Sequence, residues 1–148
     1  MIHNRKGSCF IWPGFILAIG LFFHSLVLAD IAVITNPATE IDSLTVKQIK
    51  SIFMVRNKKF PDGNSVIPVD QNAKNLIRIH FNKQILGRSE SQIRAYWGKM
   101  IFSGKKKPPR IVGDDKEVKA YVSSTIGSLG YIDSSSIDDS VKVLLRVK

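Results

Sequence analysis

The spacing of apolar and polar residues divides positions 30–147 into segments typical of strands and segments typical of helices. Short apolar runs rich in β-branched residues stand at 30–35, 66–69, 131–132 and 141–147, each bounded by polar or turn residues. Runs of this length and composition are typical of buried strands in an α/β sheet. We therefore predict four strands at these positions. Pro68 has no N–H for a ladder, so the second strand should place it at an end or an edge.

Apolar residues at intervals of three and four predict four helices between these strands. Capping boxes at Thr45–Gln48 and Ser89–Gln92 mark the starts of the first and third helices. The second is expected from Leu76 to Leu86, with Gly87 as its left-handed stop, and the fourth begins at 114–117. The residues expected on the inward faces are Val46, Ile49, Ile52, Phe53, Leu76, Ile77, Phe81, Ile85, Leu86, Ile93, Tyr96, Trp97, Met100, Ile101, Val118, Tyr121 and Val122.

The order of these elements is strand–helix, strand–helix–helix, helix–strand–strand. Residues 105–110 are expected to form a solvated basic connector, and 125–130 a tight glycine bend. Strands alternating with helices in one short chain predict a single three-layer α/β lobe.

The polar corner between the second strand and the second helix is the first candidate site. A helix that starts at such a corner has unpaired N–H groups and directs the positive end of its dipole outward, so oxyanions bind there readily. The predicted oxyanion site comprises the N–H groups of 72–75 and the side chains of Asp70, Gln71, Asn72, Lys74, Asn75 and Arg78. The alternative is that Asp70 only caps the helix and that both cations are solvated.

Polar residues after the first strand and in the glycine bend could extend this site. Asn36 and Thr39 follow the first strand, and Gly127-Ser128 precede the third. We expect them to join the corner if the strand topology brings them to the same end of the sheet.

The first 29 residues have the composition of a secretory signal. Arg5 and Lys6 precede an almost wholly apolar stretch at 10–28, and Ala29 offers a small residue before a cut at Asp30. The alternative is an uncleaved N-terminal anchor. Cleavage leaves 20 of the 22 Lys+Arg and all 12 Asp+Glu, so the net charge of 30–148 is 20 − 12 = +8. A basic exported domain suggests anionic ligands, and export makes nucleic acid an unexpected partner.

Cysteine and histidine usage excludes several classes of enzyme and metal site. Cys9, His3 and His24 all lie in the predicted signal, which leaves His80 alone in the exported part. Without cysteine the exported part can form no disulfide and has no thiol nucleophile, and a single histidine cannot make a multi-histidine zinc site. His80 lies within the second predicted helix, where a lone histidine is usually a surface or packing residue, so no Ser-His-Asp triad is expected. The sequence therefore predicts neither an enzyme nor a metal or cofactor site.

Four segments carry a resemblance to a known family. "LTVKQIKSIF", "FPDGNSVIPVDQ", "HFNKQILGRSESQIRAYWGKMIFSGKKKPP" and "GSLGYID" resemble the second lobe of periplasmic phosphate-binding proteins of ABC transporters, and in particular short single-lobe exported members. The resemblance covers nearly all of 31–147. It implies half of a type II periplasmic-binding-protein fold, phosphate bound at the corner that includes Asp70–Arg78, and an ABC transporter as partner. It also implies that Asp70 accepts a proton from a protonated oxyanion.

This chain departs from the family pattern at the corner itself. The family carries a loop of the Asp-Gly-Ser-Gly-Thr type, whereas residues 70–75 read DQNAKN, without glycine, serine or threonine. The segment that would form the family's first lobe is also not expected here. Two functions follow as hypotheses: a periplasmic phosphate or oxyanion-binding module, or a scaffold that binds a sensor, a transporter or a second copy of itself.

Overall fold

The computed structural model describes residues 30–148, so the predicted signal at 1–29 lies outside the described residues. Five strands run Ile31–Thr35 (β1), Ile67–Gln71 (β2), Arg110–Gly113 (β3), Ser128–Asp133 (β4) and Lys142–Val147 (β5). Four α-helices run Val46–Phe53 (α1), Leu76–Phe81 (α2), Glu90–Phe102 (α3) and Asp115–Ser124 (α4). A π-helical turn spans Asn82–Leu86 and a 3-10 turn spans Ser134–Ser136. None of the helices within 30–148 is long and apolar enough to cross a bilayer.

The strands form one mixed sheet in the order β3-β2-β4-β1-β5. β2 is parallel to both β3 and β4, whereas β1 is antiparallel to β4 and β5. The carboxyl ends of β2, β3 and β4 therefore meet at one edge of the sheet, which we call the carboxyl edge. The carboxyl end of β1 lies at the opposite edge.

Two apolar clusters cover the two faces of the sheet. Successive residues of β1 point to opposite faces of the sheet. Ile31 and Val33 belong to the larger cluster, which α1, α2 and α3 cover. Ala32 and Ile34 belong to the smaller cluster, which α4 covers. Because both faces are buried, β1 is apolar at every position from Ile31 to Ile34 rather than alternating. The three-layer α/β lobe predicted from the sequence is confirmed.

Both predicted capping boxes are present. The Thr45 hydroxyl accepts from the Gln48 N–H, and the Gln48 side chain accepts from the Thr45 N–H at 2.8 Å. Ser89 and Gln92 form the same reciprocal pair at the start of α3. Asp114 and Glu117 form a third box at the start of α4. Each box pairs N–H groups that the helix itself leaves without a partner, which explains why these boundaries were readable from the sequence.

The second predicted helix is α-helical only in its first half. After Phe81 the backbone widens into the π-helical turn, and Gly87 then ends it at φ 65° as predicted. In this turn the consecutive residues Ile85 and Leu86 are both buried, and the buried Asn82 amide donates to the Glu90 carboxylate at 2.6 Å. Because the π-helical turn is wider than an α-helical one, it places the Asn82 amide inward, where regular α-helical spacing does not place it.

β3 is not predicted from the sequence, and the predicted glycine bend extends into residues that belong to β4. β3 has only four residues and follows two prolines, so its apolar run is too short to stand out. In the bend only Gly127 turns, at φ 79°, and Ser128 already begins β4. Gly130 lies inside β4, where a Cβ would come within 2.7 Å of Val118 on α4. That glycine allows close packing of helix on sheet rather than a turn.

Three residues expected on inward helix faces are exposed instead: Val46, Leu76 and Ile101. Val46 and Leu76 are the first residues of their helices, and Ile101 lies in the last turn of α3. The three- and four-residue spacing of apolar residues continues to the ends of these helices, but the hydrophobic core does not extend that far.

Candidate functional site

The corner between β2 and α2 lies at the carboxyl edge of the sheet. Asn75, not Asp70, is the N-cap of α2, and its side chain accepts from the Ile77 N–H at 2.9 Å. The alternative that Asp70 caps the helix is therefore wrong, because Asp70 lies within β2. Two of the four candidate N–H groups are already paired: Asn72 donates to the Gly113 carbonyl at 2.9 Å and Asn75 donates to the Asn72 carbonyl at 3.0 Å.

The two cations of the predicted site point to different environments. Lys74 precedes the first residue of α2 and is exposed, whereas Arg78 is only 7% exposed. The alternative that both cations are solvated is therefore wrong for Arg78.

Arg78 is the centre of a buried polar network beneath the corner. Its Nη1 donates to the Gln71 carbonyl at 2.6 Å, and its Nη2 lies 3.4 Å from the Asp70 carboxylate and 3.3 Å from that of Glu90. The Tyr131 hydroxyl on β4 also donates to Asp70. These contacts connect β2, α2, α3 and β4, so the network fixes the position of the corner relative to the sheet.

Burial changes the acidity of two members of this network. Burial raises the pKa of Asp70 above its ordinary value, although Arg78 and the Tyr131 hydrogen bond act in the opposite direction. Burial and the adjacent Asp70 charge raise the pKa of Tyr131 well above 10. The hydroxyl therefore remains a donor to Asp70 at every physiological pH.

Gln71 is fully buried and joins the corner to α4. Its amide nitrogen donates to the Asp115 carboxylate at 2.6 Å and to the Tyr131 carbonyl at 2.8 Å. Asp115 also accepts from the Asp133 N–H at 2.9 Å. In the described part of the chain the Gln71 side-chain oxygen and the Arg78 Nε have no hydrogen-bond partner.

Sequence reasoning missed the residues from β3–α4 and β4 that surround the corner. A surface pocket of about 440 Å³ is lined by Asn75, Asp114, Asp115, Lys116, Lys119 and Ser136. Lys119 is held by Asp138 at 2.6 Å and by the Ser136 carbonyl at 3.0 Å, and this pairing lowers the pKa of Asp138 to about 2. These residues follow β3 and β4, so only the parallel pairing with β2 could have revealed them.

The expected extension of the site by Asn36, Thr39 and Ser128 is wrong as to position. Because β1 is antiparallel to β4, all three lie at the edge opposite the corner. Their polar atoms are also bound: the Asn36 amide donates to the Val122 and Ser123 carbonyls, Thr39 pairs with Thr35, and Ser128 donates to the Thr125 carbonyl. They stabilise the fold around the end of α4.

Within residues 30–148 no group of three or more His, Cys, Asp or Glu side chains is arranged to hold a metal ion. The chemistry available at the corner is hydrogen bonding and charge. It comes from the exposed Asn72 amide, the half-buried Asn75 amide and the exposed Lys74, next to a buried network that fixes the corner.

No known protein-family model matches the sequence. Several solved structures have a similar fold. One, from Clostridium perfringens, is assigned as a phosphate ABC transporter substrate-binding protein with bound phosphate; it is 22% identical with a TM-score of 0.62. An ABC-type phosphate transport receptor from Vibrio cholerae is 18% identical with a TM-score of 0.60, and PstS from Borrelia burgdorferi is 15% identical with a TM-score of 0.57.

Each alignment covers 78% of this chain but only 45%, 46% and 47% of the three neighbours, respectively. The chain thus spans less than half the length of the proteins it resembles. At these identities the likeness establishes the fold, which is that of one lobe of these binding proteins. The first two neighbours are described as binding or receptor proteins, not as enzymes.

Proposed function

We propose that residues 30–148 are an exported domain that binds phosphate or a similar oxyanion, as a substrate-binding component of ABC-type transport. The observation that supports this most is the shared fold with one lobe of proteins that bind and transport phosphate. The position of the corner supports it as well, since ligands of open α/β sheets bind outside the carboxyl ends of the strands. Residues 1–29 would direct export as a cleaved signal.

The proposed contacts divide into a rim and a support. Lys74 and the Asn72 and Asn75 side chains form the rim, and Lys116 faces the same pocket as Asn75. Asp70, Gln71 and Arg78 form the support, because most of their polar atoms already engage one another and the neighbouring strands and helices. The support holds the rim in place, and the rim supplies the charge and the hydrogen bonds.

We expect weak binding at this site. Asn72 and Lys74 are exposed, so each hydrogen bond to the anion replaces one to water and contributes little net free energy. A dissociation constant on the order of 0.1–1 mM is expected for such a rim. Tighter binding requires a partner that encloses the ligand, such as a transporter subunit, a sensor protein or a second copy.

Amide chemical shifts of the full chain during a phosphate titration at low ionic strength would test the site. We expect saturable shifts at 73–75, and a Lys74→Ala variant should bind roughly fivefold to tenfold more weakly. Lys83→Ala removes an equal, exposed charge from the turn after α2 and is the control. Shifts confined to other regions, or equal affinities of the two variants, would refute this assignment.

A further inference from the structure

A second candidate region is the segment 91–113, which is basic and contains no carboxylate. Between Glu90 and Asp114 the chain has no acidic residue, and it carries the cations Arg94, Lys99, Lys105, Lys106, Lys107 and Arg110. In the described part of the chain none of these cations lies within ion-pair distance of a carboxylate. Their charge is therefore available to a partner.

Two large apolar side chains protrude from the same segment. Phe102, the last residue of α3, is 96% exposed, and Ile101 beside it is 56% exposed. Large apolar side chains are mostly buried in folded proteins, whereas a phenylalanine this exposed buries almost no apolar surface in the fold. Ile101 and Phe102 are consecutive residues at the end of α3, and we call these two exposed side chains the apolar tip.

The backbone holds this tip and the lysines in a fixed relation. Gly104 takes φ 65°, its N–H donates to the Ile101 carbonyl at 3.0 Å, and the Lys105 N–H donates to the Met100 carbonyl at 3.0 Å. This pair of bonds is the Schellman ending of a helix, which turns the chain sharply. Residues 105–107 consequently fold back beside Ile101.

The resulting surface also includes a lysine from a distant part of the sequence. Ile101, Lys105, Lys106 and Lys107 line one depression of about 510 Å³ together with Val55, Lys58 and Gly104. We call Lys58, Ile101, Phe102 and Lys105–Lys107 the α3 knob.

We propose that the α3 knob docks the protein on a bilayer that contains anionic phospholipid. Phe102 and Ile101 enter the headgroup region, and the lysines lie against the lipid phosphates. Lysine is depleted from the cores of protein–protein interfaces, which makes an acidic protein a poorer fit. Apolar anchors ringed by lysine are typical of segments that lie on anionic bilayers, where each lysine adds to the attraction.

Vesicle binding by the full chain tests the proposal. We expect a preference for phosphatidylglycerol over phosphatidylcholine vesicles that weakens as salt is raised. The triple variant K105Q/K106Q/K107Q should lower that preference by roughly fivefold per lysine. The control K47Q/K83Q/K148Q removes the same charge from exposed sites outside the knob and should change it by less than about threefold.

The apolar part of the knob is tested separately. Phe102→Ser should lower binding to anionic vesicles roughly tenfold, whereas Ile126→Ser, which removes another exposed apolar side chain, should change it less than about twofold. Both side chains are too exposed for either change to unfold the protein, and all variants share residues 1–29. Knob variants that bind like their controls, or a wild-type chain without preference for anionic lipid, would overturn the proposal.

Discussion

Replacing Tyr131 by phenylalanine isolates one hydrogen bond of the buried network. The ring of Tyr131 is stacked on Phe81 with centroids 3.8 Å apart and meets Phe53 edge-on at 5.7 Å. Phenylalanine keeps both contacts and removes only the hydroxyl. That hydroxyl donates to the Asp70 carboxylate and is itself only weakly approached by the Gln71 N–H at 3.4 Å.

The expected loss of stability follows from the charge of the acceptor. A hydrogen bond to a charged group contributes about 1.5–3 kcal/mol. Asp70 keeps the Gln71 N–H at 2.8 Å and Arg78 at 3.4 Å, so its carboxylate is not left alone. We therefore expect a loss near the middle of this range, about 2 kcal/mol, which in a domain of this size lowers Tm by roughly 6–12 °C.

Urea unfolding at neutral pH, followed by circular dichroism, measures this loss. Tyr121→Phe is the matched control, because Tyr121 is half-buried and packs under Arg110 by cation–π contact at 5.8 Å. Its hydroxyl makes no hydrogen bond within residues 30–148, so the control should lose less than about 0.5 kcal/mol. Equal losses in the two variants would refute the view that the hydroxyl stabilises a buried carboxylate.

Three further changes test the same architecture. Arg78→Ala leaves two carboxylates without their cation and should lower the free energy of unfolding by about 3–5 kcal/mol in urea. Burial raises the pKa of Asp70 in the folded state, so the folded protein binds the Asp70 proton more tightly than the unfolded chain does. The contribution of Asp70 to the free energy of unfolding is therefore greatest at low pH, and it falls as the pH rises from 3.8 through the raised pKa. The stability advantage of wild type over Asp70→Asn should therefore shrink over that window; a constant difference would refute the raised pKa. Gly130→Ala should cost about 1–3 kcal/mol by forcing α4 off the sheet, and an unchanged Tm would contradict that packing.

The predictable parts of this fold are those that local sequence determines. The capping boxes at Thr45 and Ser89 and the stop at Gly87 each depend on residues within one turn of the boundary. β1 could be predicted for a similar reason, because a strand that is buried on both faces appears in the sequence as a continuous apolar run. The three-layer prediction depended on these features, because they locate the helices and strands along the chain.

The unpredicted parts depend on contacts between distant residues. Arg78 looks like a surface cation from its neighbours in sequence. Its burial is favourable because its guanidinium contacts the Gln71 carbonyl and the carboxylates of Asp70 on β2 and Glu90 on α3. Asn36 and Ser128 were placed at the wrong end because the sequence does not show that β1 is antiparallel to β4. Strand direction is set by the whole sheet, so candidate residues on different strands could not be grouped reliably.

Calorimetric titration of the full chain with phosphate, and then with sulfate, at low salt tests the central claim most directly. Asn72 offers a side-chain carbonyl at the rim that can accept the proton of a protonated phosphate, which sulfate lacks. The account predicts saturable heat with phosphate, weaker binding of sulfate, and loss of affinity in Lys74→Ala. The absence of saturable heat at phosphate concentrations of about 10 mM, well above the expected dissociation constant, would contradict it.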